Sequence, residues 1–158
     1  MIAGVAAFIF LYSGDLSSRL ETEQGYPAGA VSFLRSHGLR GNLLADFGWG
    51  EYLIWHAPES RIYIDGRYDT VFSDKVISDY LKFFFNEHKA ETVLAEYPHD
   101  FILLAPDAPI VKKLESRNNW KLLYRDKDAV LFARSGITAG SGSSSIATSP
   151  TPKHQYFP

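Results

Sequence analysis

Asp65, Arg67 and Asp69 place two carboxylates and a guanidinium within one short stretch, with Gly66 and Tyr68 between them. Those residue types allow three kinds of chemistry. Arg67 could hold a phosphate or another polar ligand through its planar fork of N–H donors. The carboxylates could hold a divalent cation, although such an ion wants about six oxygen ligands. Or Arg67 could pair with Asp65 or Asp69 and keep the loop closed. Asp46, at the end of an earlier apolar run, adds a third carboxylate. Facing Asp65, it would split the two pKa values and support acid–base chemistry. Its other reading is a cap for a helix that begins near Gly48.

A second group of candidates precedes this loop. Trp49, Tyr52 and Trp55 recur every third residue, a spacing that makes neighbours on a helix. Such a face could stack on sugar rings, dock onto a membrane protein, or pack against a sheet. Gly48 and Gly50 flank Trp49, and glycine weakens a helix. Their presence points to a close backbone approach or to a ligand. With Glu51, the candidate ligand-binding set is Asp46, Trp49, Glu51, Tyr52, Asp65, Arg67 and Asp69.

Composition removes several classes of function. The chain has no cysteine, so it has no disulfide framework, zinc–thiolate site or thiol nucleophile. Its formal net charge is −2, with 16 Lys and Arg scattered along the sequence, which leaves no basic footprint for nucleic acid. The histidines, at 37, 56, 88, 99 and 154, form no ligand-spaced pair. A serine elbow, a Walker loop and a dinucleotide glycine fingerprint are all missing. No metal and no cofactor is expected.

The elements that must position the candidates follow from periodicity and punctuation. A helix is expected after Tyr26-Pro27, with Val31, Phe33 and Leu34 on its apolar face and His37-Gly38 as its stop. Residues 42–47 read as a buried strand and 48–56 as a short helix ended before Pro58. A second strand over 61–64 leads into the Asp65–Asp69 loop. Ser73 caps a helix carrying Val76, Ile77, Tyr80, Leu81 and Phe84, and 89–96 continues as another. Strands are expected over 101–104, 120–124 and 129–133, with a helix over 108–117 and a hairpin-like turn over 125–128. This alternation predicts a three-layer, Rossmann-like α/β domain with a mostly parallel sheet and an antiparallel C-terminal edge hairpin. The Asp65–Asp69 loop should then sit at the carboxyl end of a central strand, beside the start of the 48–56 helix.

Four segments follow along the 158 residues: 1–12, 13–25, 26–135 and 136–158. The first carries no charge and is almost wholly apolar. As a helix it would span only about 18 Å, too short for a hydrocarbon core of ~30 Å. It reads as the end of a transmembrane helix or as a buried segment of the domain. Residues 13–25 are a polar linker, 26–135 the soluble domain, and 136–158 a flexible tail rich in Gly, Ser, Thr and Pro.

Tyr26-Pro27, Gly41-Asn42, the run Trp49-Gly50-Glu51-Tyr52-Leu53-Ile54-Trp55, Ile64-Asp65-Gly66-Arg67, and then Trp120, Tyr124, Asp126 and Phe132 occur in a familiar order. Over about residues 26–135 the chain resembles the soluble C-terminal domain of bacterial multi-spanning membrane proteins. Many of those look like glycosyltransferases of the lipid-phosphosugar-dependent, dolichyl-phosphate-mannose mannosyltransferase type. The resemblance implies a domain on the extracytoplasmic side of the cell membrane, partnered by the membrane part of its own full-length chain. It implies an accessory role, binding or positioning a glycan or lipid-linked sugar, with no catalytic residue in this part. Two other readings fit the same residues: a stand-alone carboxylate-based hydrolase or phosphotransferase using Asp46, Asp65 and Asp69, and a purely structural protein-interaction module.

Overall fold

The computed structural model describes residues 25–85 and 87–137. The apolar N-terminal stretch, the linker up to residue 24 and the tail beyond residue 137 lie outside the described residues. The chain is a mixed α/β domain built on one five-stranded mixed sheet.

Helix α1, Ala28–Ser36, buries Ala30, Val31 and Leu34 on one face. It stops as its sequence requires. Gly38 takes φ +61, the Leu39 N–H reaches back to the Leu34 carbonyl, and the Gly38 N–H bonds the Arg35 carbonyl. These two bonds close a Schellman motif, and the buried Leu39 supplies its apolar contact. Strand β1, Asn42–Ala45, is shorter than its apolar run suggests. The Asp46 carboxylate accepts the Gly48 N–H at 3.0 Å and turns the chain into a 3-10 turn, Phe47–Trp49. A side chain that bonds local backbone in this way competes with the strand ladder. Helix α2, Gly50–His56, follows directly and ends before Pro58.

Strand β2, Arg61–Ile62, pairs in parallel with β1. Beyond it come α3 (Tyr68–Val71), α4 (Asp74–Phe85) and α5 (Glu87–Glu96). Strand β3, Phe101–Leu104, then returns to the other side of β1, also in parallel. Helix α6, Ile110–Glu115, precedes β4 (Trp120–Arg125) and β5 (Val130–Arg134). The order across the sheet is β2-β1-β3-β5-β4, with β5 antiparallel to both its neighbours. Two of the four pairings are thus parallel, where a mostly parallel sheet was expected. The C-terminal hairpin does form the antiparallel edge. Its turn is set by Asp126, whose Oδ1 accepts the N–H groups of Asp128 and Ala129 and whose Oδ2 accepts the Tyr124 hydroxyl.

Alternate residues of the strands feed two separate cores. Leu44, Ile102, Leu104 and Phe132 pack with Tyr80 and Phe83 of α4, Val93 of α5 and Ile110 and Leu114 of α6. Leu43, Ala45, Phe101, Leu103 and Leu131 pack with Val31 and Leu34 of α1 and Leu53 of α2. Period-two alternation sends neighbouring residues to opposite faces, so both faces of the sheet are covered. Ile137 is half-buried against the second core. Among the described residues no helix is long and apolar enough to cross a membrane.

The Asp65 loop follows β2, which is an edge strand and not a central one. The cause is topological. The chain leaves β1 on one side to make β2, then crosses back to make β3 on the other. The switch point therefore falls between β1 and β3. Asp46 stands there, its backbone N–H bonded to the Leu103 carbonyl at 3.3 Å.

Candidate functional site

Asp65 and Arg67 are locked together. The Arg67 Nε donates to Asp65 Oδ1 at 2.9 Å and Nη2 donates to Oδ2 at 2.7 Å. The Arg67 backbone N–H also donates to Oδ1, at 2.9 Å. Asp65 is only 3 % exposed, whereas the Arg67 side chain is 62 % exposed. A buried carboxylate thus holds an exposed guanidinium in one orientation. The Arg67 hydrogen bonds hold the Asp65 carboxyl below the usual carboxylate range against the opposing effect of burial. Asp65 therefore stays ionised near neutral pH and is poorly suited to donate a proton. Of the three readings of this loop, the closed ion pair is the one observed, and it leaves the outer N–H groups of Arg67 facing solvent.

The glycines explain how the loop meets α2. A Cβ on Gly50 would lie 2.7 Å from the Asp65 Cα and 3.0 Å from the Ile64 carbonyl oxygen. A Cβ on Gly66 would collide with the Glu51 carboxylate. Of the two readings of the glycines beside Trp49, a close backbone approach or a ligand, Gly50 shows the first, with the Asp65 backbone as its partner. The shared surface of α2 and the Asp65 loop is confirmed. Glu51 is exposed above Gly66, and its charge helps keep Arg67 protonated after the larger effect of Asp65.

The remaining candidates separate. Asp46 is the cap of the 3-10 turn. Trp49 is 7 % exposed, packs in the core and donates its indole N–H to the Gly25 carbonyl at 2.7 Å. Its ring is therefore not presented as a stacking platform. The cause is the 3-10 turn, which carries Trp49 ahead of α2 and off the face of Tyr52 and Trp55. Tyr52 is half-buried between Tyr26 and His56, with ring centroids at 4.8 and 4.2 Å. Asp69 is exposed in the first turn of α3, which forms a helix where a loop was expected. Among the described residues no three His, Asp or Glu side chains gather as a metal site would need.

Beside Arg67 runs an open groove of about 510 Å³, walled by Ile54, Ile62, Val71 and Phe72, with Asp65, Pro58 and Ser60 completing it. Val71 is largely exposed and Ile54 partly so. A smaller cavity adjoins it and shares Pro58 and Ser60; Trp55, 82 % exposed, stands on its wall.

Two further buried polar groups lie outside the candidate set. Asp79, on α4, accepts Lys75 Nζ at 2.6 Å, Lys82 Nζ at 2.7 Å and the Tyr97 hydroxyl at 3.1 Å. Burial alone would raise its carboxyl; these three donors reverse that and hold it low. The spacing of Lys75 and Lys82 about Asp79, at i−4 and i+3, was the available signal. His99 is fully buried against Tyr63, with nothing in its local sequence to announce it.

The fold and this loop define a mixed α/β domain that presents a fixed guanidinium beside an apolar groove at one edge of its sheet. No family model matches the chain, and no curated protein or solved structure matches it either.

Proposed function

We propose that this is an accessory ligand-positioning domain of Rossmann-like, three-layer design. It sits on the extracytoplasmic side of a membrane-embedded, glycosyltransferase-like protein. It holds the anionic part of a glycan or lipid-linked sugar and leaves the chemistry to the membrane part of its own chain. One observation carries this reading. Arg67 is fixed by a bidentate pair to buried Asp65 at the rim of a groove walled by Ile54, Ile62, Val71 and Phe72. A charged donor fork beside an apolar wall matches an amphiphile with a phosphate head, because each half finds its complement. The covered faces of the sheet support the three-layer design. With both carboxylate oxygens paired to Arg67, Asp65 is poorly placed to serve as the acid of a carboxylate-based hydrolase.

The test is titration of the full chain with a short-chain prenyl phosphate and, in parallel, the matching prenyl alcohol. The phosphate should bind the more tightly, and Arg67→Ala should erase that preference, a loss of about tenfold or more in affinity. Equal binding of phosphate and alcohol would sink the proposal. So would turnover of a sugar-phosphate donor that Asp65→Asn abolishes, which would promote the enzyme reading.

A further inference from the structure

We propose that the cavity under Trp55 is a subsite for a neutral pyranose ring. Trp55 is 82 % exposed, whereas Trp49 and Trp120 are 7 % and 5 % exposed. A lone exposed aromatic needs no explanation. This one stands on the wall of a cavity of about 280 Å³, just under the range of drug-sized ligand pockets and suited to a small ring. The cavity has two kinds of lining. Leu34, Leu39 and Pro58 are apolar, and Arg35, His56 and Glu59 carry donors and acceptors. A pyranose has the same division, with a C–H face that stacks on an indole and a rim of hydroxyls that need both donors and acceptors. A membrane surface would call for a continuous apolar face or a basic cluster, and this lining is interrupted and carries both signs. Glu59 meets Arg40 only at 3.9 Å, with both side chains mostly exposed, so it is free to turn toward a ligand.

Pro58 and Ser60 belong to this cavity and to the Arg67 groove. One ligand can therefore place a phosphate at Arg67 and a sugar at Trp55. This inference rests on the reading of the domain as a glycan-positioning module, and it names where the sugar sits.

Trp55 is the only exposed indole of the chain's three, so iodide quenching of tryptophan fluorescence reports on it alone. The probes are methyl α-mannopyranoside and methyl β-glucopyranoside, with sorbitol as a polyol lacking a ring face and phosphatidylglycerol vesicles as a membrane. A glycoside should protect Trp55 from iodide and shift the amide signals of Arg35, His56, Ala57, Glu59 and Ser60, while sorbitol does neither. Trp55→Phe should retain part of the amide shifts, and Trp55→Ala should weaken them about tenfold. Undiminished shifts in Trp55→Ala would overturn the inference by locating the sugar elsewhere. Protection by vesicles without protection by glycosides would overturn it in favour of a membrane contact. If the prenyl phosphate binds through Arg67 and neither glycoside touches Trp55, this subsite falls and the function proposed above stands. If the glycosides bind at Trp55 while Arg67→Ala changes nothing, the anionic site falls and the pyranose site stands.

Discussion

Lowering the pH from 7 to 4 should cost the domain about 3 kcal/mol of stability, most of it traceable to His99. The imidazole is fully buried, and its pKa is pushed down to about 3, first by burial and then by the positive charge of Arg134. A hydrogen bond with the Val93 backbone opposes this only in part. In the unfolded chain a histidine titrates near pH 6.5. Between about pH 6.5 and about 3 the unfolded state therefore binds a proton that the folded state refuses. Stability is full above that window, falls by about 1.4 kcal/mol for each unit of pH within it, and loses nothing more to His99 below it. Asp65 and Asp79 act in the same direction but later. Their folded pKa values lie below the ordinary carboxylate value, so their contribution is lost only as pH falls below about 4. Asp100 works against them, because burial raises its carboxyl and the folded state takes up its proton first.

Urea midpoints at pH 7, 5.5 and 4.5, taken on the original protein and on His99→Gln, isolate the histidine, because the carboxylate titration near pH 4.5 is common to both. His99→Gln should flatten the slope between pH 7 and 4.5. The reading is a slope, so a variant less stable at every pH still answers the question. Equal slopes in the two proteins would show that His99 is not the group responsible.

The sequence revealed the domain's punctuation better than its layout. Periodicity and end signals were enough for β3, for α1 with its Gly38 stop, for α2 ended by Pro58 and for the Asp126 hairpin, because each depends on residues close in the chain. Strand order depends on which side of β1 the chain chooses after α5, and nothing local encodes that choice. The Asp65 loop was therefore expected on a central strand and lies on an edge. The aromatic spacing misled for a related reason. Counting in threes assumes one continuous helix, and the Asp46 cap inserts a 3-10 turn that sends Trp49 inward and leaves Trp55 out. Asp79 belongs to no motif that would single it out in the sequence. Its lysines were visible at helical spacing, but Tyr97, which completes the set, comes from beyond the next helix. The Asp65–Arg67 pair was legible because its members are two residues apart and Gly66 lets the chain fold one onto the other.

Gly50→Ala should destabilise the domain by roughly 1–3 kcal/mol, opposite in sign to what helix propensity alone would give. Gly50 begins α2 with φ −52 and ψ −52, ordinary helical angles that alanine adopts freely. Propensity favours alanine there by up to about 1 kcal/mol. The obstacle is steric. A Cβ at this position would stand 2.7 Å from the Asp65 Cα, 2.8 Å from its Cβ and 3.0 Å from the Ile64 carbonyl oxygen. These are backbone or backbone-anchored atoms and cannot rotate aside, so α2 or the end of β2 must move. Gly48→Ala provides the control. A Cβ there meets only Asp46 Oδ1, at 3.5 Å, an ordinary contact, and that substitution should leave stability within about 0.5 kcal/mol of the original. Denaturant midpoints of the two variants make the comparison. The same displacement must turn Arg67, because Asp65 holds it, so Gly50→Ala should also weaken prenyl phosphate binding while Gly48→Ala does not. A Gly50→Ala protein as stable as the original would mean that α2 and the Asp65 loop are not pressed together. The fixed orientation of Arg67, on which the proposed site depends, would then lose its support.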